Sequence, residues 1–148
     1  MILLNPSSVR YIVIHCSATP EDCPYSVEQL RSDHRKKGFE EIGYHFYVRR
    51  SGEIVPCRSI IYQGAHVHHH NQESVAICYE GGLKGMPGQR GLIPADTRTE
   101  AQQASIIHLI RYLKQFYPQA RVQGHRDFPG VTKDCPCFDA KAEYSKLR

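Results

Sequence analysis

Imidazole and thiol side chains are the groups in this chain best suited to metal or hydrolytic chemistry. It has nine histidines and six cysteines among 148 residues. His15 closes a short apolar run, Tyr11-Ile12-Val13-Ile14, and His125 follows Val122-Gln123-Gly124. Cys135 stands ten positions further on. Neutral imidazole and thiolate suit zinc, and three protein ligands leave a fourth position for water, as in catalytic zinc sites. Spacing alone does not establish such a site. The intervals match no zinc-finger pattern, and a lone histidine more often packs in the core or sits on the surface. Cys137, two positions from Cys135, leaves open which thiol would serve.

The elements that must hold these residues can be read from pattern. Tyr11–Ile14 has the β-branched apolar character of a buried strand. A polar residue at the end of such a strand is where α/β folds often place chemistry. Ser26-Val27-Glu28-Gln29 has the form of a capping box, predicting a helix through Leu30 and His34 to Lys37, with Gly38 as its left-handed stop. His45–Arg50 and Glu53–Pro56 flank the turn signal Ser51-Gly52 and predict a hairpin. Ser74–Tyr79 reads as another buried strand. The glycines between Gly81 and Gly91, with Pro87 and Pro94 nearby, predict a long surface loop at the rim of a cleft.

Thr97-Arg98-Thr99-Glu100 predicts a second capping box. The helix after it carries Ile106, Leu109, Ile110, Leu113 and Tyr117 on one face, and Pro118 stops it. Val122-Gln123-Gly124 predicts a last short strand. The resulting order, β-α-β-β-β-α-β, predicts a mixed α/β fold: a central mixed β-sheet flanked by α-helices packed mainly on one side.

Composition sets outer bounds. Hydrophobic residues make up 41% and charged residues 23%, ordinary for a globular protein, so disorder and coiled coil are excluded. The length suits one domain over residues 1–148. The net charge of +4 is scattered, which argues against a nucleic-acid partner. No run approaches a membrane span. The opening Met1-Ile2-Leu3-Leu4 lacks the basic region of a signal peptide, so synthesis in the cytoplasm is expected. Reduced thiols are then the default for the six cysteines.

Other features have bland readings. His66, His68, His69 and His70 lie on consecutive or near-consecutive positions, and adjacent side chains on extended backbone point to opposite faces. A second physiological metal there is disfavoured; loose adventitious binding is the better account. The Gly81–Gly91 stretch lacks the Gly-Lys-Ser/Thr ending of a phosphate loop. Cys16, Cys23, Cys57 and Cys78 read as small apolar residues, with Cys16 pointing to the opposite strand face from His15. His34 and His108 read as packing or surface residues, and His45 is expected to face away from Tyr44.

The segment Gly124-His125-Arg126-Asp127-Phe128-Pro129-Gly130-Val131-Thr132-Lys133-Asp134-Cys135-Pro136 resembles the C-terminal signature of type-2 N-acetylmuramoyl-L-alanine amidases. These are zinc enzymes that include small phage lysozymes and the peptidoglycan recognition proteins. Val13-Ile14-His15-Cys16-Ser17-Ala18-Thr19 resembles the family's first-strand metal motif. Gly43-Tyr44-His45-Phe46 resembles its second strand. Gly64-Ala65-His66, His70-Asn71 and Ser74-Val75-Ala76-Ile77 resemble its active-site wall and central strand. The likeness runs over roughly residues 10 to 138, and Lys133 two positions before the cysteine resembles the phage-lysozyme branch.

Carried over position by position, the resemblance implies one Zn²⁺ per chain held by His15, His125 and Cys135. It implies that Tyr44 and Lys133 act beside the metal and that His66 lines the substrate cleft. Cys137 departs from the pattern, which commonly has glycine there. The implied reaction is hydrolysis of the amide between N-acetylmuramic acid and L-alanine in peptidoglycan. The implied protein is a monomer without a separate cell-wall-binding domain, reaching the wall after release or holin-type export. Two alternatives stand beside it: a module that binds muropeptides without cleaving them, and a phage lysozyme-like protein that also inhibits an RNA polymerase.

Overall fold

A computed structural model describes residues 1–85, 88 and 90–148. The strands are β1 (Tyr11–Cys16), β2 (Thr19–Pro20), β3 (Phe46–Val48), β4 (Ile54–Pro56), β5 (Ser74–Tyr79), β6 (Gly82–Gly85), β7 (Leu92–Pro94) and β8 (Arg121–Gly124). The α-helices are α1 (Val27–Lys36), α2 (Glu100–Phe116) and α3 (Ala140–Tyr144). The fold is mixed α/β. A five-stranded sheet has the order β4-β3-β5-β1-β8, and a small second sheet has the order β2-β6-β7.

β5 is the centre of the large sheet, and β1 lies between it and the edge strand β8, parallel to both, while only the β3–β4 hairpin is antiparallel. Parallel strands present their carboxyl ends at one edge, where α/β folds bind ligands. Ile14 pairs with Ile77 of β5 and with Gly124 of β8. The next residues along are His15 and His125, so register alone brings them to one edge.

Alternation along β1 divides the core. Ile12, Ile14 and Cys16 face one side, with Val75, Ile77 and Tyr79, against Ile106, Leu109, Ile110 and Leu113 of α2 and Tyr144 of α3. The opposite side carries Val13 beside Val67 and Phe128. There, too, Leu30 of α1 and Ile42 cover Tyr47 and Cys78. Two helices thus pack on one face and α1 on the other. No helix among the described residues is long and apolar enough to cross a membrane.

The Ser26 capping box forms as expected, its hydroxyl accepting from Gln29 N–H at 3.1 Å. Gly38 takes the left-handed stop at φ +93°. The second capping box is displaced. Helix α2 is capped by Thr99, whose Oγ1 accepts from Gln102 N–H at 3.0 Å. Thr97 is engaged elsewhere, its Oγ1 accepting from Gly82 N–H at 2.8 Å. Both threonines precede Glu or Gln by three residues, so the spacing fits either, and the tertiary bond to Gly82 decides the phase.

The stretch expected to be a long loop is partly a strand: Gly82–Gly85 pairs with β2 on one side and β7 on the other. Pro87, placed in that loop above, lies outside the described residues. Helix α3 was not expected; its five residues are too few to show a period. β1 runs two residues further than expected, so His15 is inside the ladder rather than beyond it.

Arg98 anchors the C-terminal segment. Its guanidinium bonds Asp96, Glu143 and the Tyr144 hydroxyl, with side-chain exposure of only 3%. It also lies 3.4 Å over the Phe138 ring. Exposed ion pairs contribute little, but a shielded cation stacked on an aromatic ring contributes more. Arg98→Ala is expected to cost about 2 kcal/mol. For a chain of this size that lowers Tm by roughly 4–8 °C in a thermal melt.

Candidate active site

At the carboxyl edge of the parallel strands lies a cleft of about 510 Å³, lined by His15, His34, Tyr44, His66, His125, Lys133 and Cys135 among others. His15 comes from β1 and is 1% exposed. His125 opens the 3₁₀ turn His125–Asp127 that directly follows β8. Cys135 comes from the succeeding loop. One donor atom from each of these three residues lies within 4.8 Å of the others, and no second such trio occurs among the described residues.

Local chemistry explains how the loop returns. Arg126 N–H donates to Cys135 O at 2.9 Å, closing the segment on itself. The Tyr79 hydroxyl donates to Pro136 O at 2.6 Å, tying it to β5. Gly124 permits the approach, because a β-carbon there would meet Pro136 Cδ at 2.5 Å. The Cys135 sulfur accepts from Cys16 N–H at 3.2 Å and stands 3.8 Å from His15 Nδ1. A tetrahedral zinc with bonds of ~2.0–2.3 Å needs donors roughly 3.3–3.7 Å apart, so the trio is nearly at ligand spacing.

Protonation fits the same use. Burial, with His66 and His125 nearby, holds the His15 imidazole well below the ordinary range. Burial and the Lys133 ammonium lower His125 as well. Neutral imidazoles keep a lone pair for a cation.

Cys137 is elsewhere. It takes φ +69°, a left-handed conformation that glycine adopts more readily. Its sulfur lies 3.8 Å from Cys16 Sγ. The Cys16 thiol, on the α2 side of the sheet, is raised to about 12, first by its contact with Cys135. All six cysteines are free.

The other expected residues divide. The Tyr44 ring is 5.0 Å from the His15 ring, and burial pushes its phenol well above 10. Lys133 is exposed at the cleft mouth. His66 lines the cleft, but both of its ring nitrogens have protein partners: His15 Nε2 at 2.8 Å and Ser74 Oγ at 3.0 Å. The histidine run diverges, with His68 and His69 exposed and His70 bonded to Glu73 at 2.9 Å. The described part of the Gly81–Gly91 stretch does not line the cleft.

Two further residues shape the wall: His34, expected to be a packing or surface residue, and Arg58, which no sequence pattern marked. His34 is buried, lines the cleft, and accepts from Gly43 N–H at 2.8 Å. Arg58, 8% exposed, donates to the carbonyls of Ile42, Glu41 and Gln63 at 2.9–3.0 Å. Gly43 packs so tightly that a β-carbon would meet Ala65 O at 2.1 Å. A periodic pattern carries no sign of such cross-loop bonds. His45, expected to open a strand, lies just before β3; its Nε2–H donates to Tyr62 O and its Nδ1 accepts from Ala76 N–H.

A family model described as N-acetylmuramoyl-L-alanine amidase matches residues 5–138. The endolysin of Klebsiella phage KP32 is 33% identical over 135 residues, covering 91% of this chain and 85% of that protein. A peptidoglycan-recognition protein of Drosophila melanogaster is 30% identical over 122 residues, covering 79% of this chain and 63% of that one. The solved structure of N-acetylmuramoyl-L-alanine amidase LysC from Clostridium intestinale superposes with a TM-score of 0.76 at 26% identity, covering 97% of this chain and 89% of that one.

Burial lowers His34 and His45 from 6.5 to about 4. The unfolded chain therefore takes up protons first as pH falls. The stability from keeping these rings neutral is full above 6.5 and drains away towards pH 4, roughly 3 kcal/mol for each ring. Thermal melts of the metal-free protein should show Tm falling steeply from pH 6.5 to 4. A flat profile would contradict the buried neutral histidines.

Proposed function

The chain belongs to the N-acetylmuramoyl-L-alanine amidase family, and on that premise we propose that it hydrolyses the amide between N-acetylmuramic acid and L-alanine in peptidoglycan. The observation that carries this reading is the convergence of His15, His125 and Cys135 at one cleft. Two neutral imidazoles and a thiolate suit zinc, one ion per chain, and three protein donors leave a position open for chemistry. Zinc bound there supplies a Lewis acid that brings the pKa of a water to ~7 and polarises an amide carbonyl.

The chain's own residues do the rest. The Tyr44 phenol, kept protonated by burial, donates a hydrogen bond towards the reacting carbonyl or orients the water. The Lys133 ammonium is a compact charge at the cleft mouth, suited to the developing oxyanion and to passing a proton to the departing amine. Lys37 also lines the cleft, and no Asp or Glu does among the described residues. That sign of charge complements the carboxylates of a muropeptide stem. We assign the activity to one domain over residues 1–148, acting on the cell wall.

Mass spectrometry of digested peptidoglycan tests the bond assignment. Expected products are intact glycan strands and free stem peptides with new L-alanine amino termini. Muropeptide binding without those products would favour the recognition-module reading instead.

Cys135→Ser is expected to lose stoichiometric zinc and all lytic activity, while Cys137→Ser keeps both; metal analysis and a turbidity assay read the two. Equal loss in both variants would show that the thiolate is misassigned. Lys133→Ala is expected to hold zinc while kcat falls by roughly 100-fold or more, the scale of a lost oxyanion donor.

A further inference from the structure

The hydrogen bonds behind the cleft fix a direction. Ser74 Oγ–H donates to His70 O at 2.8 Å, since a carbonyl can only accept. That uses the hydroxyl's single hydrogen. The contact between Ser74 Oγ and His66 Nε2 at 3.0 Å then requires the hydrogen to sit on His66 Nε2. With its one ring proton there, His66 presents a bare Nδ1 to His15 Nε2 at 2.8 Å. His15 must therefore carry its proton on Nε2. Its Nδ1 is left with a lone pair, on the side that faces Cys135. Among the described residues, neither ring nitrogen of His66 meets a carboxylate that would hold a second proton.

We infer that His66 is a positioning residue: through Ser74 and the His70 carbonyl it locks His15 into the one tautomer and ring orientation that can ligate a metal through Nδ1. This deepens the zinc reading above and rests on it. It also departs from the role that the family resemblance implies for His66, a contact with substrate. Every donor in the chain points away from the ligand atom, so no proton competes with the cation. The backbone supports the arrangement, because Asn71 Oδ1 accepts from both His66 N–H and Val67 N–H at 3.0 Å and fixes the loop that carries the ring. Gly64 lies so close that a β-carbon would meet His66 Cδ2 at 2.7 Å. The ring therefore has little room to turn.

Partners of metal-binding histidines of this kind typically change metal affinity 10- to 100-fold when removed. Two measurements without substrate test the assignment. The first is nitrogen-15 NMR of the histidine rings in the metal-free wild-type protein at neutral pH. It should find His15 and His66 both protonated on Nε2. A proton on His15 Nδ1 would overturn the inference, and this readout needs no variant to fold.

The second is zinc affinity by competition with a chromophoric chelator. His66→Ala should bind zinc 10- to 100-fold more weakly, and His66→Gln, which returns an amide acceptor, should recover part of that loss. Zinc affinity in His66→Ala within twofold of wild type, with KM for a muropeptide raised, would make His66 a substrate contact and overturn the proposal. Both readouts are independent of peptidoglycan cleavage, so failure of the amidase reading and failure of this one are separately visible.

Discussion

The structure depends on the parallel pairing of β1 with both of its neighbours. β1 is hydrogen-bonded on both sides to strands running the same way, and Ile14 is level with Gly124. That register delivers two histidines 110 positions apart to a common edge. A slip by one residue would reverse the faces of β1. It would turn His15 into the α2 packing and expose Ile14 in its place. The apolar contacts of Ile12, Ile14 and Cys16 with α2 therefore hold the chemistry in place as well as the core. Burial of three apolar side chains resists that slip by several kcal/mol.

The third donor arrives differently. No strand carries Cys135; a loop folds back and is fastened by its own backbone and by Tyr79. Gly124 removes the one atom that would block the approach. The site thus joins a rigid part, set by the ladder, to a tethered part, set by a few specific bonds. The Arg98 cluster secures the chain just beyond that loop. Burial of His15, with His66 and His125 beside it, keeps it neutral, which for a ligand is an asset and for a catalytic acid would be a defect.

Much of this was legible in the amino-acid sequence, for identifiable reasons. The β-branched run at Tyr11–Ile14, the Ser26/Gln29 box and the α2 stripe are local patterns with one physical solution. The donor trio became legible through the order of its flanking segments, since its spacing matched nothing simple. The small sheet stayed hidden because β2 is two residues long and β6 begins and ends in glycine. Two capping phases were written two residues apart at Thr97 and Thr99, and only a bond from a distant glycine separated them. The partner of His15 was invisible for a plainer reason: the contact spans 51 positions and depends on which nitrogen holds a hydrogen.

Arg58 carries a wider consequence. A buried cation is held here by three carbonyl oxygens from two stretches of backbone, and among the described residues no carboxylate bonds it directly. Only the branched guanidinium can span them at once. With Gly43 pressed against Ala65, it laces residues 41–43 to 63–65 as one panel, and Tyr44 and His66 hang from adjacent edges of it. Anyone grafting a different wall from a relative onto this scaffold must transplant the panel whole, guanidinium included. Exchanging either stretch alone would leave a charge stranded in the interior.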